Sequence, residues 1–136
     1  MVIVFDMDNT LVDETGATVR PGIVRLLDGL AAAGHTLVLW TSSSRQRAMD
    51  ILRLHDLRRR FAKVICREDY DPEDRGVRKD IRRIKGDFIV DDDPEEVSYA
   101  RSLGRSGFLI PAYRKGRPAD PADCARLREA IDKAGG

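Results

Sequence analysis

Residues Val2–Val12 read VIVFDMDNTLV: four consecutive apolar residues run into two aspartates one residue apart, Asp6 and Asp8, with Thr10 two places beyond. A short unbroken run rich in β-branched residues is the pattern of a strand buried on both faces. The acids therefore stand where such a strand ends. If the strand lies in a parallel sheet, that end is the edge at which ligands bind.

Four further runs extend the pattern: TLVLW (Thr36–Trp40), KVIC (Lys63–Cys66), FIV (Phe88–Val90) and GFLI (Gly107–Ile110). Segments of helical period separate them. PGIVRLLDGLAAAG places Ile23, Leu26, Leu27 and Leu30 on one stripe, with Pro21 near its start and Gly34 at its stop. SSSRQRAMDILRLHDL offers serine caps and then apolar residues at helical spacing, while DPEEVSYARSLG and DPADCARLREAIDKAG open on Asp-Pro and close on glycine. Alternation of this kind predicts an α/β fold, a Rossmann-like three-layer sandwich with a mostly parallel sheet of about five strands. At 136 residues the chain suits one domain, spanning 1–136.

Composition removes several classes. No apolar stretch approaches the roughly 20 residues of a membrane helix, and the first run meets Asp6 without a preceding basic region, which argues against a secretory signal and for a cytoplasmic home. Cys66 and Cys124 are far apart and lack metal-ligand spacing. Charged residues make up 35% of the chain yet sum to +1, so no overall field points to nucleic acid or membrane. The arginine clusters Arg53–Arg60 and Arg75–Lys85 are read as solvated faces.

Three of the five runs end in chemistry: the first in Asp6 and Asp8, the second in Thr41 and Ser42, the fourth in Asp91, Asp92 and Asp93. In a parallel sheet these groups converge. Clustered carboxylates repel one another in a partly buried cleft, so a positive partner is required. Hard oxygen ligands suit Mg²⁺, which keeps waters and favours phosphate as a further ligand. Thr41 and the free amides of the following helix make a phosphate cradle. Lys79, twelve positions before Asp91, can begin a helix returning to that strand and supply a cation; Lys85 and Lys63 lie at the wrong edge of the sheet.

The order DMDNT, a strand ending in Thr41, Lys79 and DDDP resembles the four motifs of the haloacid dehalogenase superfamily of aspartate-based phosphotransferases. The likeness runs from Val2 to about Ile110. The flanking LWTSSS, VRKDI and FIVDDDPEEV are similar to stretches of its capless members, including small phosphatases of the polymerase tail and magnesium-dependent phosphatases. The resemblance implies a Mg²⁺-dependent phosphomonoester hydrolase. Asp6 would be the nucleophile, forming an aspartyl-phosphate, and Asp8 the acid and then the base, with its backbone carbonyl at the metal. Asp6 and Asp92 would be direct metal ligands and Asp91 would hold a metal-bound water. Thr41, Ser42 and Lys79 would bind the phosphoryl group, and Thr10 would fix the loop after the nucleophile.

Asp93 stands where relatives often carry a neutral residue, which leaves the assignment within the acidic run open by one place. Residues Val12–Val19 have room only for a small hairpin flap, and Ser43–Arg78 for a helix, a strand and a loop. Neither admits a cap domain. An open site favours a large or exposed phosphoester; phosphoprotein, nucleic-acid end and small metabolite are not ranked by the sequence, nor is oligomeric state. The alternative is a catalytically silent metal- and phosphate-binding regulatory module of the same fold. A receiver domain is disfavoured, since no later strand ends in an acceptor aspartate.

Overall fold

The computed structural model describes residues 1–135. Five strands, β1 (Val2–Phe5), β2 (Thr36–Trp40), β3 (Lys63–Ile65), β4 (Phe88–Asp91) and β5 (Ser106–Leu109), form one sheet in the order β3-β2-β1-β4-β5. All four pairings are parallel. The helices are α1 (Ile23–Ala32), α2 (Arg45–Leu54), α3 (Arg67–Tyr70), α4 (Pro94–Ser102) and α5 (Asp123–Gly135), with 3-10 turns at Arg58–Arg60 and Ile81–Ile84. The chain builds outward from β1 to β3 and then crosses back to β4 on the other side of β1. That reversal opens a crevice beyond the carboxyl ends of β1 and β4.

The continuous apolar runs of β1 to β4 are explained by two buried faces, whereas β5, at the edge of the sheet, is only half-buried and leaves Leu109 exposed. Ile3, Phe5, Leu37, Leu39, Val64, Phe88 and Val90 face one core, shared with α1, α2 and α5. Val4, Val38, Trp40, Ile65 and Ile89 face the other, under Ile81 of the 3-10 turn and Ala100 of α4. Helix starts follow their caps: the Ser44 hydroxyl accepts the Arg47 amide, and Asp93 accepts the Glu95 amide with Pro94 opening α4. Strand ends move by a residue from their sequence reading. Cys66 leaves β3 to precede α3, while Asp91 joins β4 by pairing with Leu109.

Between β1 and α1 the chain makes the small flap, closed by a Val12–Val19 bridge. Its centre is Asp13, fully buried, whose carboxylate accepts the amides of Thr15 (2.7 Å) and Thr18 (2.9 Å) and both their hydroxyls. Gly16, at φ +76°, lets the flap approach α2 so closely that a Cβ would lie 2.5 Å from Ile51. Burial alone would raise the Asp13 carboxyl, but the bonds from Thr15 and Thr18 outweigh it and hold the group far below the usual range. A depressed folded-state pKa stabilises above the unfolded value, near pH 4, and that contribution is lost as pH falls through the folded value. Asp13→Asn is therefore expected to lose about 2 kcal/mol at pH 7, and its deficit against the natural chain should shrink as pH drops below about 4. Urea unfolding at pH 7 and pH 3 measures this; a deficit independent of pH would count against it.

Candidate active site

β1 delivers Asp6 to the crevice between β1 and β4, with its amide continuing the ladder to Val90 O at 3.0 Å. Met7 turns into the core, and Asp8 emerges again on the side of Asp6. The next turn is tight: the amides of Thr10, Leu11 and Val12 all reach Met7 O, and Asn9 takes φ 65°. Thr10 is buried and its hydroxyl donates to Asp6 Oδ2 at 3.3 Å.

A cavity of about 200 Å³ lies there, lined by Asp6, Asp8, Asn9, Ser42, Lys79, Asp91, Asp92, Asp93 and Glu96. Of the residues the sequence offers for reaction, metal or phosphoryl binding, Thr41 alone does not line it. Thr41 is buried beneath, its hydroxyl accepting the Ser43 amide at 3.1 Å, which leaves its own proton free to donate.

At the centre is Lys79, 4% exposed, whose Nζ donates to Asp6 Oδ1 at 3.0 Å and Asp91 Oδ2 at 2.8 Å. Lys79 does not begin a helix as the sequence suggested. It lies in an extended approach whose course is set on both sides: Asp71 accepts the amides of Arg75, Gly76 and Val77, and Glu96 accepts the amide of Lys79 at 3.1 Å. Arg78 beside it pairs with Asp93 and Glu95. Glu96, in the first turn of α4, where an acid is ordinary on dipole grounds alone, is buried and holds this segment.

The acidic run divides its work. Asp91 Oδ1 accepts the Asp93 amide at 3.0 Å, and Asp93 itself is committed to the cap of α4. Asp6, Asp91 and Asp92 each offer an oxygen, all within 4.8 Å of one another. The Asp8 side chain stands apart, gripped by Arg47 from α2: Nη1 to Oδ2 at 2.8 Å and Nη2 to Oδ1 at 2.9 Å. The sequence reading did not single out Arg47. A signal was present, because a basic residue in the first turn of a helix opposes its dipole and calls for a carboxylate nearby.

Electrostatics mark this cluster. Burial pushes the Asp6 carboxyl well above the ordinary range; Lys79 opposes that shift, and Asp91 and Asp92 add to it. Burial alone would lower the Lys79 ammonium, but Asp6 and Asp91 hold it above its usual value. Burial also raises Asp92 and Glu96. Carboxylates in excess around one ammonium, offering only hard oxygen donors, fit a divalent cation of the Mg²⁺ class.

The loop carrying Asp6 and Asp8 is braced from behind. Arg20, 2% exposed, donates to the carbonyls of Thr10 (2.7 Å), Asn9 (2.9 Å) and Pro111 (2.6 Å) and pairs with buried Asp123 at 3.2 Å. Burial lowers its pKa and Asp123 opposes that. Tyr113 adds its amide to Asn9 O at 2.7 Å. The arginines of the basic clusters are largely paired: Arg59 with Asp56, Arg60 with Asp28, Arg75 with Glu73 and Arg82 with Asp80.

Residues 1–127 match the family model described as NLI interacting factor-like phosphatase. No curated protein matches the chain significantly. Among solved structures it is similar to a hydrolase from Streptococcus pneumoniae TIGR4, with a TM-score of 0.70 at 12% identity over 96% of this chain and 97% of that one. It is also similar to the D,D-heptose 1.7-bisphosphate phosphatase of B. bronchiseptica, solved with magnesium and phosphate, with a TM-score of 0.62 at 18% identity over 97% of this chain and 98% of that one. At these identities the likeness to solved structures is one of fold.

Proposed function

Because the chain belongs to the NLI interacting factor-like phosphatases, a phosphoester-hydrolysing family of the haloacid dehalogenase type, we propose that it cleaves phosphomonoesters through a covalent phosphoryl group on Asp6. The observation that carries this reading is the buried Lys79 bridging Asp6 and Asp91 at the mouth of the β1/β4 crevice. An ammonium there holds Asp6 in place and offsets charge as a phosphate dianion approaches.

In the first half-reaction an Asp6 oxygen bonds to phosphorus as the ester P–O bond breaks, and Asp8 gives its proton to the departing oxygen. In the second, Asp8 takes a proton from water attacking the same phosphorus, and Asp6 is freed. The Ser42 amide, the Thr41 hydroxyl and Lys79 bind the phosphoryl oxygens. Asp6, Asp91 and Asp92 would hold Mg²⁺, with the Asp8 carbonyl as a further ligand. When bound, the ion supplies positive charge that lowers the repulsion between nucleophile and phosphate.

Among the described residues no cap covers the cavity: Val12–Val19 makes only the small flap, and residues 43–78 hold only α2, a 3-10 turn, β3, α3 and a loop. An open mouth suits a large or exposed phosphoester, whether phosphoprotein, nucleic-acid end or metabolite. Activity on a generic aryl phosphate is expected in Mg²⁺ and should fall to background on chelation, returning when Mg²⁺ is restored. Unchanged turnover after exhaustive chelation would overturn the metal assignment.

A further inference from the structure

The guanidinium of Arg47 is held more firmly than a surface ion pair requires. It lies in the first turn of α2, three residues beyond the cap Ser44 and six beyond Thr41. Besides both oxygens of Asp8, its Nη1 reaches Ser43 Oγ at 3.0 Å and its Nη2 the Glu14 carbonyl at 3.4 Å. One rigid fork thus connects the loop after β1, the segment after β2 and the flap. The Asp8 side chain is 29% exposed, so without this fork water would surround a carboxylate free to rotate.

We propose that Arg47 is a positioning residue for leaving-group protonation. This rests on the reading of Asp8 as the acid. Bidentate geometry fixes the plane of a carboxylate as well as its place, which a single lysine bond does not. When Asp8 is protonated, one oxygen still accepts from Arg47 and the other carries the proton. That proton passes to the ester oxygen as its bond to phosphorus breaks, leaving Asp8 as carboxylate against the intact fork. Arg47 thus acts through Asp8 and matters most where the leaving oxygen most needs a proton.

The test compares kcat/KM for aryl phosphates of rising phenol pKa and for a simple alkyl phosphate, in the natural chain, Asp8→Asn, Arg47→Ala, Arg47→Lys and the Asp8→Asn/Arg47→Ala double variant. Arg47→Ala should lose about tenfold to hundredfold on the alkyl ester and less than about threefold on the most activated aryl ester, with Arg47→Lys recovering only part. The double variant should be no worse than Asp8→Asn, since the two residues act as a unit. If Asp8→Asn shows leaving-group dependence but Arg47→Ala lowers every substrate equally, leaves all unchanged or raises them, the Arg47 assignment fails alone. If Asp8→Asn itself shows no such dependence, the reading of Asp8 fails and takes this inference with it. Thermal melting of each variant separates loss of fold from loss of positioning.

Discussion

Asp6→Asn is expected to abolish phosphatase turnover, by at least about 10³-fold, while the protein stays folded. The size follows from removing the proposed nucleophile; an amide cannot take the phosphoryl group, and what remains is binding and electrostatics alone. Retention of the fold follows from the electrostatics of the site. Asp6 is a carboxyl whose charged form burial disfavours, among Asp91 and Asp92, so the substitution removes repulsion. It also weakens one bond to Lys79, yet Asp91 keeps that ammonium paired at 2.8 Å. The opposing effects should leave unfolding free energy within about 1 kcal/mol of the natural chain, as expected where function is held at a cost in stability. Steady-state assays with circular dichroism on the same preparation check both halves. Substantial activity in a folded Asp6→Asn protein would remove the nucleophile from the mechanism.

Arg20→Ala is expected to reverse that pattern, destabilising by about 3 kcal/mol or more. The guanidinium is the donor for three backbone carbonyls and the partner of an acid nearly as buried as itself. Without it Asp123 keeps, among the described residues, Arg126 at 3.4 Å, and the carbonyls of Asn9, Thr10 and Pro111 lose a charged donor. Residual activity should also fall, because the loop bearing Asp8 loses its brace and small misplacements are costly in catalysis. Urea unfolding gives the stability. A second substitution, Asp123→Ala on the Arg20→Ala background, should cost less than it does alone, since the uncompensated charge is then gone. A loss below about 1 kcal/mol for Arg20→Ala would show that the brace is dispensable.

Arg47 and Arg20 mark the limit of what the sequence tells. The inner strands are legible because burial on both faces leaves an unbroken apolar run, and their ends because polar residues follow at once; β5 shows a similar run although it is an edge strand only half-buried. Only their limits shift, where Asp91 pairs with Leu109 and Cys66 turns away. The edge of the sheet at which a cation must lie selects Lys79, but its backbone, unlike that of a helix start, follows no regular element. The pull of Asp71 on three following amides depends on a turn that apolar period does not register. Glu96 is inconspicuous in the sequence, because an acid in a first helical turn is ordinary; its burial comes from the segment packed on it. Arg47 left a faint trace, a charge of the wrong sign for its place in the helix. Arg20 left none, because its partners lie at Asn9, Thr10, Pro111 and Asp123, and distance along the chain conceals contacts that only the closed fold creates.

That brace also has an order in time. Every residue lining the cavity, from Asp6 to Glu96, leaves the ribosome before Pro111, Tyr113 and Asp123 do. The nascent chain therefore carries every residue lining the cavity before it has made the residues that pin their loop. During synthesis the chemistry is complete in composition before it is complete in position.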